Sequence, residues 1–172
     1  MKRVMIDFET LGNGKQACVV QAGACYFADG GIGQCLKLQV DAEDAIRNGA
    51  EMDASTVYWW LSQSPEAIKS ILASPKLGER EAFNQLNAFL AGADEIWSHA
   101  TFDFVILMEG LKRLNIKPLF GYRASRDIRT LNALCPSFDK ASIKREGTHH
   151  DGLDDAIYQA RYVMAMLDKE KS

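Results

Sequence analysis

The sequence predicts an α/β fold in which helices pack on the faces of a mixed β-sheet. Three strand-like segments follow one another near the start of the chain. Short glycine-containing turns join them, which is the pattern of an antiparallel meander. From Ser55 onward, segments with helical periodicity alternate with short strand-like segments. This order of elements is typical of a mixed sheet flanked by helices.

The first three predicted strands cover residues 3–9, 17–28 and 33–40, and the third alternates apolar and polar side chains as a strand with one wet face does. Ser55 is predicted to cap a first helix, and Ser64 followed by Pro65 starts a second. Later helices show apolar residues at helical spacing. The later segments are helix 79–91, strand 95–98, helix 101–115, a short element near 122–127, helix 127–134 and helix 152–169.

The composition is that of an ordinary globular protein, with 172 residues, 47% of them hydrophobic and 25% charged. This length is enough for one domain and short for two, so we expect residues 1–172 to form a single domain. The four cysteines match no zinc-binding pattern. The chain reaches Asp7 before a signal-peptide core develops, and no apolar run approaches the roughly 20 residues of a membrane span. We therefore expect a cytoplasmic protein with no membrane contact.

The charge distribution limits how the protein can meet nucleic acid. A formal net charge of −3 is not that of a protein that coats nucleic acid through bulk positive charge. Residues 41–66 contain six acidic residues and one basic residue, whereas residues 110–147 contain nine basic and three acidic residues. The basic half is either a solvated surface or a rim that attracts phosphate. Contact with nucleic acid would be local or carried by metal ions.

Asp7 and Glu9 lie two residues apart in the first predicted strand, so their side chains point to the same face of the sheet. Val4, Ile6 and Phe8 point to the other face, where we expect them to pack in the core. Two carboxylates placed side by side repel each other unless a cation lies between them. The pair is therefore either a ladder of surface charges or part of a cation site.

Two later segments carry further candidates at the starts of predicted helices. Asp103 lies in the first turn of the helix after strand 95–98, and His150 precedes the last helix. An acid in a first helical turn is favourable for helix-dipole reasons alone, so each segment is ambiguous by itself. Periodicity does not decide between Asp154 and Asp155 as the acid of the last helix, because both fall outside its apolar arc.

Together these segments supply four acids and one histidine, in the order Asp-x-Glu, Asp and His-x4-Asp. A ligand set of oxygens suits Mg²⁺ or Mn²⁺ and argues against zinc. Two such ions about 3.5–4 Å apart can hold a phosphodiester, one activating the attacking water and one stabilising the leaving oxygen. A histidine of near-neutral pKa can accept the proton of that water. The combination indicates metal-dependent phosphodiester hydrolysis.

Three segments in this order resemble the motifs of the DEDDh 3′–5′ exonucleases, the group of RNase T, oligoribonuclease and the proofreading subunit of bacterial replicative polymerase. They are Asp7-Phe8-Glu9-Thr10, Phe102-Asp103 and His150-x4-Asp155. The resemblance is greatest to a compact bacterial and prophage branch, often labelled exonuclease VIII-like, with mycobacterial exoribonuclease relatives. It covers nearly the whole chain. Its further marks are Arg47-Asn48-Gly49-Ala50, Trp59-Trp60-Leu61, the segment 126–131 and the segment 150–156.

The resemblance implies an RNase H-like fold with a central five-stranded mixed sheet. It also implies a metal-dependent exonuclease that hydrolyses phosphodiester bonds from the free 3′ end of single-stranded DNA or RNA and releases nucleoside 5′-monophosphates. Two Mg²⁺ or Mn²⁺ ions would bind, with Asp7 bridging both. Glu9 and Asp155 would complete the ion on the nucleophile side, and Asp103 would serve the other ion.

The resemblance further assigns the general base to His150 and contacts with the 3′-terminal nucleotide to Thr10 and Leu11. The sequence departs from the family at Ser98 and His99, where relatives often carry Asn-Gly before the Phe-Asp motif. His99 is read either as a substrate contact or as a polar residue at a strand end. The assignment of the metal ligands does not depend on this difference.

Other functions and roles stay open at this point. One alternative is a non-catalytic nucleic-acid-binding or protein-binding module that retains the fold, although binding alone would not need paired acids. Another is a two-metal phosphoesterase that acts on small nucleotides. Three aromatic residues either stack on bases or belong to the core or a subunit contact, namely Tyr58, Trp59 and Trp60. A homodimer is expected only by analogy with relatives. Asp127 is expected to cap the helix that follows it.

Overall fold

The strands of the protein form one five-stranded mixed sheet, as predicted. The structure is a computed structural model that describes residues 1–169. The strand order is β3-β2-β1-β4-β5. The three consecutive strands β1, β2 and β3 pair antiparallel, whereas β4 and β5 join the other edge in parallel. The bounds are β1 (Arg3–Thr10), β2 (Val19–Ala28), β3 (Gly31–Gln39), β4 (Glu95–Ser98) and β5 (Ser125–Asp127).

Helices cover both faces of this sheet. Their bounds are α1 (Ala42–Arg47), α2 (Ala54–Leu61), α3 (Pro65–Leu72), α4 (Glu79–Phe89), α5 (Val105–Arg113), α6 (Ile128–Leu134) and α7 (Gly152–Lys169). A π-helical segment (Ala100–Phe104) precedes α5, and a 3₁₀ turn (Lys140–Ser142) lies between α6 and α7. Helix α1 has no counterpart among the predicted elements. Within residues 1–169, none of the helices has both the length and the apolar character that crossing a membrane requires.

The first turn of α2 differs from the prediction. The helix begins after Asp53, whose Oδ1 accepts a hydrogen bond from the backbone N–H of Thr56 at 2.7 Å. Ser55 instead donates its hydroxyl to the Asp53 carboxylate at 2.5 Å. Asp53 stands at the spacing that lets an N-cap side chain reach the third helical N–H. The prediction of Ser55 as the cap is therefore wrong, while Ser64 caps α3 as its sequence indicates.

Strand β1 separates two different environments. Val4, Ile6 and Phe8 are buried in the larger hydrophobic cluster, together with side chains of α4 and α5. Met5 points to the opposite face and packs with side chains of α7. The alternation of a strand places Asp7 and Glu9 on the same face as Met5, which confirms the predicted division of this strand. Both acids are buried, so the pair is not a surface ladder of charges.

Helix α7 begins directly against the pair β1–β2. Gly23 is opposite Asp7 in the register, and a Cβ at residue 23 would come within 2.1 Å of the Gly152 backbone. The buried Gln21 side chain accepts a hydrogen bond from the Gly152 N–H at 2.5 Å. This close approach brings the first turn of α7, with Asp155, beside the part of β1 that carries Asp7.

Candidate active site

A cavity of about 340 Å³ lies where the end of β1, the π-helical segment and the start of α7 meet. It collects all five residues that the motifs single out as metal ligands or general base. The lining residues are Asp7, Phe8, Glu9, His99, Phe102, Asp103, Lys140, Arg145, His149, His150, Asp155, Tyr158, Gln159 and Tyr162. Residues far apart in the sequence therefore share one concave site.

Asp7 and Glu9 enter this cavity as buried acids, 8% and 7% exposed. Burial, followed by repulsion from Asp103, Glu9 and Asp155, raises the pKa of Asp7 well above its usual value. Burial and then repulsion, first from Asp155, raise the pKa of Glu9 to about 8. Loss of water and nearby like charges both oppose ionisation. A nearby cation would therefore favour the charged form of both acids.

Asp103 is held by the backbones of two neighbouring strands. Its Oδ1 accepts a hydrogen bond from the Phe8 N–H of β1 at 3.1 Å, and its Oδ2 accepts one from the His99 N–H, just after β4, at 3.0 Å. The carboxylate is only 1% exposed. Burial outweighs the opposing effect of these hydrogen bonds and raises the pKa of Asp103 to about 7. The π-helical segment thus presents this acid to β1 in a fixed orientation.

Asp155, and not Asp154, faces the cavity. Its Oδ2 accepts a hydrogen bond from the His150 N–H at 3.1 Å, and its Oδ1 forms an ion pair with Arg145. Asp154 points away from the cavity, and its Oδ2 accepts a hydrogen bond from the Thr148 N–H at 2.7 Å. This hydrogen bond fixes the segment before α7 to the first turn of the helix. The alternative that helical periodicity left open is thus resolved by tertiary contacts. The acid that the motif comparison favours is the one inside the site.

Two groups of possible metal ligands share Asp7: one consists of carboxylates, and the other combines two carboxylates with a ring nitrogen of His99. Asp7, Glu9 and Asp155 each offer an oxygen within 4.8 Å of the others, and Asp7 with His99 and Asp103 forms a second group of the same spread. Asp7 belongs to both groups. Buried carboxylate oxygens at this spacing fit hard divalent cations, which take oxygen ligands. The donor set therefore fits the divalent metal ions that the motifs imply.

His150 lies at the rim of the same cavity in a left-handed backbone conformation, with φ of 62°. Its ring stacks on His149 with 3.8 Å between centroids and meets the edge of Trp59 at 4.8 Å. Burial, followed by the charge of neighbouring His149, lowers the pKa of His150 below its usual 6.5. A neutral imidazole beside Asp155 has the chemistry of a proton acceptor.

The remaining candidates divide between the site and the core. Thr10 is buried and lines a second cavity of about 190 Å³ beside Glu9 and the two tryptophans. Leu11 packs against a hydrophobic cluster and lines neither cavity. Trp60 is a core residue whose Nε1 donates to the Thr10 carbonyl at 2.8 Å, and Asp127 caps α6 as predicted.

Several residues in or beside the site have no individual role in the sequence analysis. Gln159, one helical turn after Asp155, donates its Nε2 to Asp7 Oδ1 at 2.7 Å. Arg145 pairs with Asp155, as described above. Asp151 is buried at the start of α7 and pairs with Lys37 of β3. Gln159 had a local signal, since a polar residue four positions after an acid shares its helix face. Arg145 belongs to the basic half over residues 110–147, for which a phosphate-attracting rim was one of the two interpretations.

Solved structures that share this fold include those of exonucleases. The nuclease domain of 3′hExo, described as a DEDDh family member bound to rAMP, superimposes with a TM-score of 0.61 at 11% identity. The match covers 98% of this chain and 92% of that one. A metal-free E. coli ExoI–ssDNA complex gives a TM-score of 0.64 at 13% identity and covers 99% of this chain but 40% of that one. At these identities the similarity establishes the RNase H-like fold of the DEDDh exonucleases.

Sequence comparison extends this result to the family. An exodeoxyribonuclease of Enterobacteria phage T4 is 27% identical over 210 aligned positions, which cover 95% of this chain and 91% of the phage protein. The model of the 3′–5′ exoribonuclease Rv2179c-like domain matches residues 2–167, nearly the whole chain. The chain therefore belongs to the family of the 3′–5′ exoribonuclease Rv2179c-like domain and is a 3′–5′ exonuclease.

Proposed function

We propose that the protein removes nucleoside 5′-monophosphates one at a time from the free 3′ end of single-stranded DNA or RNA. The observation that supports this most directly is the convergence of four buried acids, Asp7, Glu9, Asp103 and Asp155, in two ligand groups that share Asp7, the second of which also contains His99. Acids that repel each other in a water-poor cavity destabilise the fold unless cations neutralise them. Such an arrangement is typical of a site that works with divalent metal ions.

Each acid has a distinct part in this proposal. Asp7, which belongs to both ligand groups, would serve two Mg²⁺ or Mn²⁺ ions, with Glu9 and Asp155 at one and Asp103 at the other. When bound, the ions would activate the attacking water and stabilise charge on the leaving oxygen. The protein contributes the fixed orientation of the carboxylates through backbone hydrogen bonds to Asp103 and Asp155.

His150 would accept the proton of the attacking water. Its lowered pKa keeps the imidazole neutral near pH 7, the form that can take a proton. The Asp155 carboxylate accepts a hydrogen bond from the His150 backbone N–H. The Trp59 ring packs against the His150 ring in an edge contact, which restricts the orientation of the imidazole. This role requires the rim segment to remain in place while the substrate is bound.

The substrate class is inferred from the site and from the relatives. Lys140 and Arg145 line the cavity and offer positive charge to phosphates beside the acids. Thr10 borders the second cavity, where the 3′-terminal nucleotide would contact it. Contact with Leu11, which lines neither cavity, stays a prediction from the resemblance. The relatives and neighbours include an exodeoxyribonuclease and structures holding ssDNA or rAMP. Both DNA and RNA are therefore included in the proposal.

Three broader expectations belong to the same proposal. The family match over residues 2–167 and the single sheet support one exonuclease domain over residues 1–172. Exposed Tyr58 and Leu61 on α2 offer a surface for a homodimer. A cytoplasmic location stays a prediction from the sequence.

The direct test uses matched DNA and RNA oligonucleotides labelled at the 5′ end, with Mg²⁺ or Mn²⁺ and then with EDTA. Stepwise shortening from the 3′ end gives a ladder of 5′-labelled products, and the same oligonucleotides labelled at the 3′ end release labelled mononucleotide first. We expect both results with metal and neither with EDTA. Internal cleavage, release from the 5′ end or full activity in EDTA would contradict the proposal.

A pair of neighbouring variants tests the ligand assignment within this assay. Asp155→Asn removes charge from a proposed metal ligand and should abolish product formation. Asp154→Asn affects only the carboxylate that holds the Thr148 N–H, so most activity should remain. If Asp154→Asn proves the more damaging change, the assignment of Asp155 is wrong.

A further inference from the structure

Arg145 reaches into the active-site cavity from the segment between the 3₁₀ turn and α7. Its guanidinium pairs with Asp155 Oδ1, and its Cζ lies 4.2 Å from the centroid of the Tyr158 ring. Both partners belong to α7 and line the same cavity. The guanidinium is thus attached at two points, to one of the four acids and to an aromatic ring.

The position of this arginine conflicts with a metal ion at Asp155. The other oxygen of that carboxylate accepts the His150 N–H at 3.1 Å, so both Asp155 oxygens already have a partner. Among the Lys and Arg ion pairs within residues 1–169, the Arg145–Asp155 pair is the one that reaches the four acids. A guanidinium and a divalent cation repel each other and compete for the same oxygen. The ion pair of Arg145 with Asp155 therefore has to break when a metal ion binds the Asp155 carboxylate.

A displaced guanidinium would still have a partner in the cavity. The Tyr158 ring retains it beside the acids, where a substrate phosphate must come if these acids act on it. The planar fork of arginine matches the geometry of phosphate as well as that of carboxylate. Exchange of one anion for another costs less than leaving the charge unpaired.

We propose that Arg145 has two alternative partners: Asp155 in the metal-free site, and a substrate phosphate once a divalent ion has taken the Asp155 carboxylate. This inference rests on the proposed metal-dependent function and adds a residue that couples metal binding to phosphate binding. A metal ion alone must compete with the arginine. A phosphate group draws the arginine away and so strengthens metal binding, and by linkage the metal strengthens phosphate binding equally.

The test measures Mn²⁺ binding by calorimetry, without any nucleotide, for the wild type and for Arg145→Gln. Loss of a competing charge-assisted hydrogen bond should tighten Mn²⁺ binding roughly tenfold. The same titration is then repeated with AMP and with dAMP. These monophosphates should tighten Mn²⁺ binding to the wild type and have a much smaller effect on Arg145→Gln. Unchanged Mn²⁺ affinity in Arg145→Gln, or an undiminished effect of the monophosphates, would overturn the inference.

Three further variants separate the possible failures. Arg161→Gln is the matched control, because Arg161 pairs with Glu146 of the same segment at 2.6 Å, outside the cavity, and should leave both titrations unchanged. Arg145→Lys keeps a competing charge and should bind Mn²⁺ more weakly than Arg145→Gln, even if the latter is less stable. Asp7→Asn should greatly weaken Mn²⁺ binding. If it does not, the proposed metal site itself is wrong, which is a different result from failure of the arginine exchange alone.

Discussion

Two of the places in which the protein buries acidic side chains treat their charge differently. Glu79, in the first turn of α4, is fully buried and receives both Nη groups of Arg113 of α5, at 2.7 and 3.0 Å. In the cavity, Asp7, Glu9 and Asp103 are also buried, but among the residues that the structure describes arginine pairs with one acid of their group, Asp155. One place matches each negative charge with a positive one, and the other does not.

This difference separates an acid that supports the fold from acids that serve a function. The bidentate Glu79–Arg113 pair joins α4 to α5, and Arg113 also donates to the Gln16 side chain and the Asn48 carbonyl. A buried pair of this geometry satisfies its own charges. The cavity acids instead repel one another, which raises the pKa of Asp7 and Glu9. A fold keeps such an arrangement only where an outside cation completes it.

The largest expected effect comes from Asp7→Asn, which keeps the shape of the side chain and removes its charge. We expect turnover to fall by about 10⁴-fold or more, because metal-bound catalysis supplies several kcal/mol and each 1.36 kcal/mol is tenfold in rate. The metal-free variant should be as stable as the wild type or more stable, since repulsion is removed. Turnover and thermal unfolding in EDTA, measured together, check both parts. A stable variant with wild-type turnover would contradict the role of Asp7.

His150→Ala tests the part of the site that is not an acid. We expect turnover to fall by about 10²–10⁴-fold, the usual contribution of general acid–base catalysis. Mn²⁺ binding should be largely kept, because the proposed ligands are carboxylates. His149→Ala is the control, since His149 is the more exposed of the two stacked histidines, although both line the cavity. A larger loss from His149→Ala than from His150→Ala would show that the general base is assigned to the wrong histidine.

Glu79→Gln tests the other side of the comparison. It leaves the Arg113 guanidinium buried without its carboxylate, and we expect a loss of about 3–5 kcal/mol in the free energy of unfolding. Turnover per folded molecule should stay close to that of the wild type, because Glu79 lines no part of the cavity. Urea denaturation and active-site titration give the two quantities. Glu43→Gln, at the exposed pair with Arg47, should cost no more than about 1 kcal/mol.

A stable Glu79→Gln protein would mean that the buried pair contributes little to the fold. The distinction between the two groups of acids would then rest on Asp7→Asn alone. A folded Glu79→Gln protein with reduced turnover would instead indicate that the contact between α4 and α5 orients the π-helical segment that carries Asp103.

The parts of the site that could be predicted from the sequence depend on local geometry. The alternation of β1 separates Asp7 and Glu9 from Val4 and Ile6 without knowledge of any partner. Asp103 follows a strand, which directs it to the end of the sheet where β1 also ends. These positions follow from regular elements, so the acids could be assembled before the fold was known.

The parts that escaped prediction depend on which distant segments meet. Arg145 lies in a segment without periodicity, so nothing local shows that its side chain turns to Asp155. Glu79 reads as an ordinary first-turn acid of an amphipathic helix, and only the approach of α5 makes it a buried ion pair. The choice of Asp53 over Ser55 as a cap depends on side-chain competition within three residues. Partner choice of this kind is decided by packing rather than by propensity.

A further expected effect is a dependence of metal-free stability on pH. The pKa of Glu9 is raised to about 8 and that of Asp103 to about 7. In the unfolded chain both groups titrate near their ordinary values of 4.5 and 3.8. Between these limits the folded protein binds more protons than the unfolded chain, so the free energy of unfolding falls as pH rises from about 5 to about 8.

Thermal unfolding in EDTA across this range should therefore show a falling midpoint, and Mn²⁺ should reduce the fall by replacing the protons as the neutralising charge. Glu9→Gln removes one of the titrating cavity acids and should make the curve in EDTA less steep, whereas exposed Glu43→Gln should leave its slope unchanged. A midpoint in EDTA that rises with pH would mean that the cavity acids are already neutralised by the protein's own cations. The two groups of buried acids would then differ in geometry alone, and the electrostatic distinction between them would be lost.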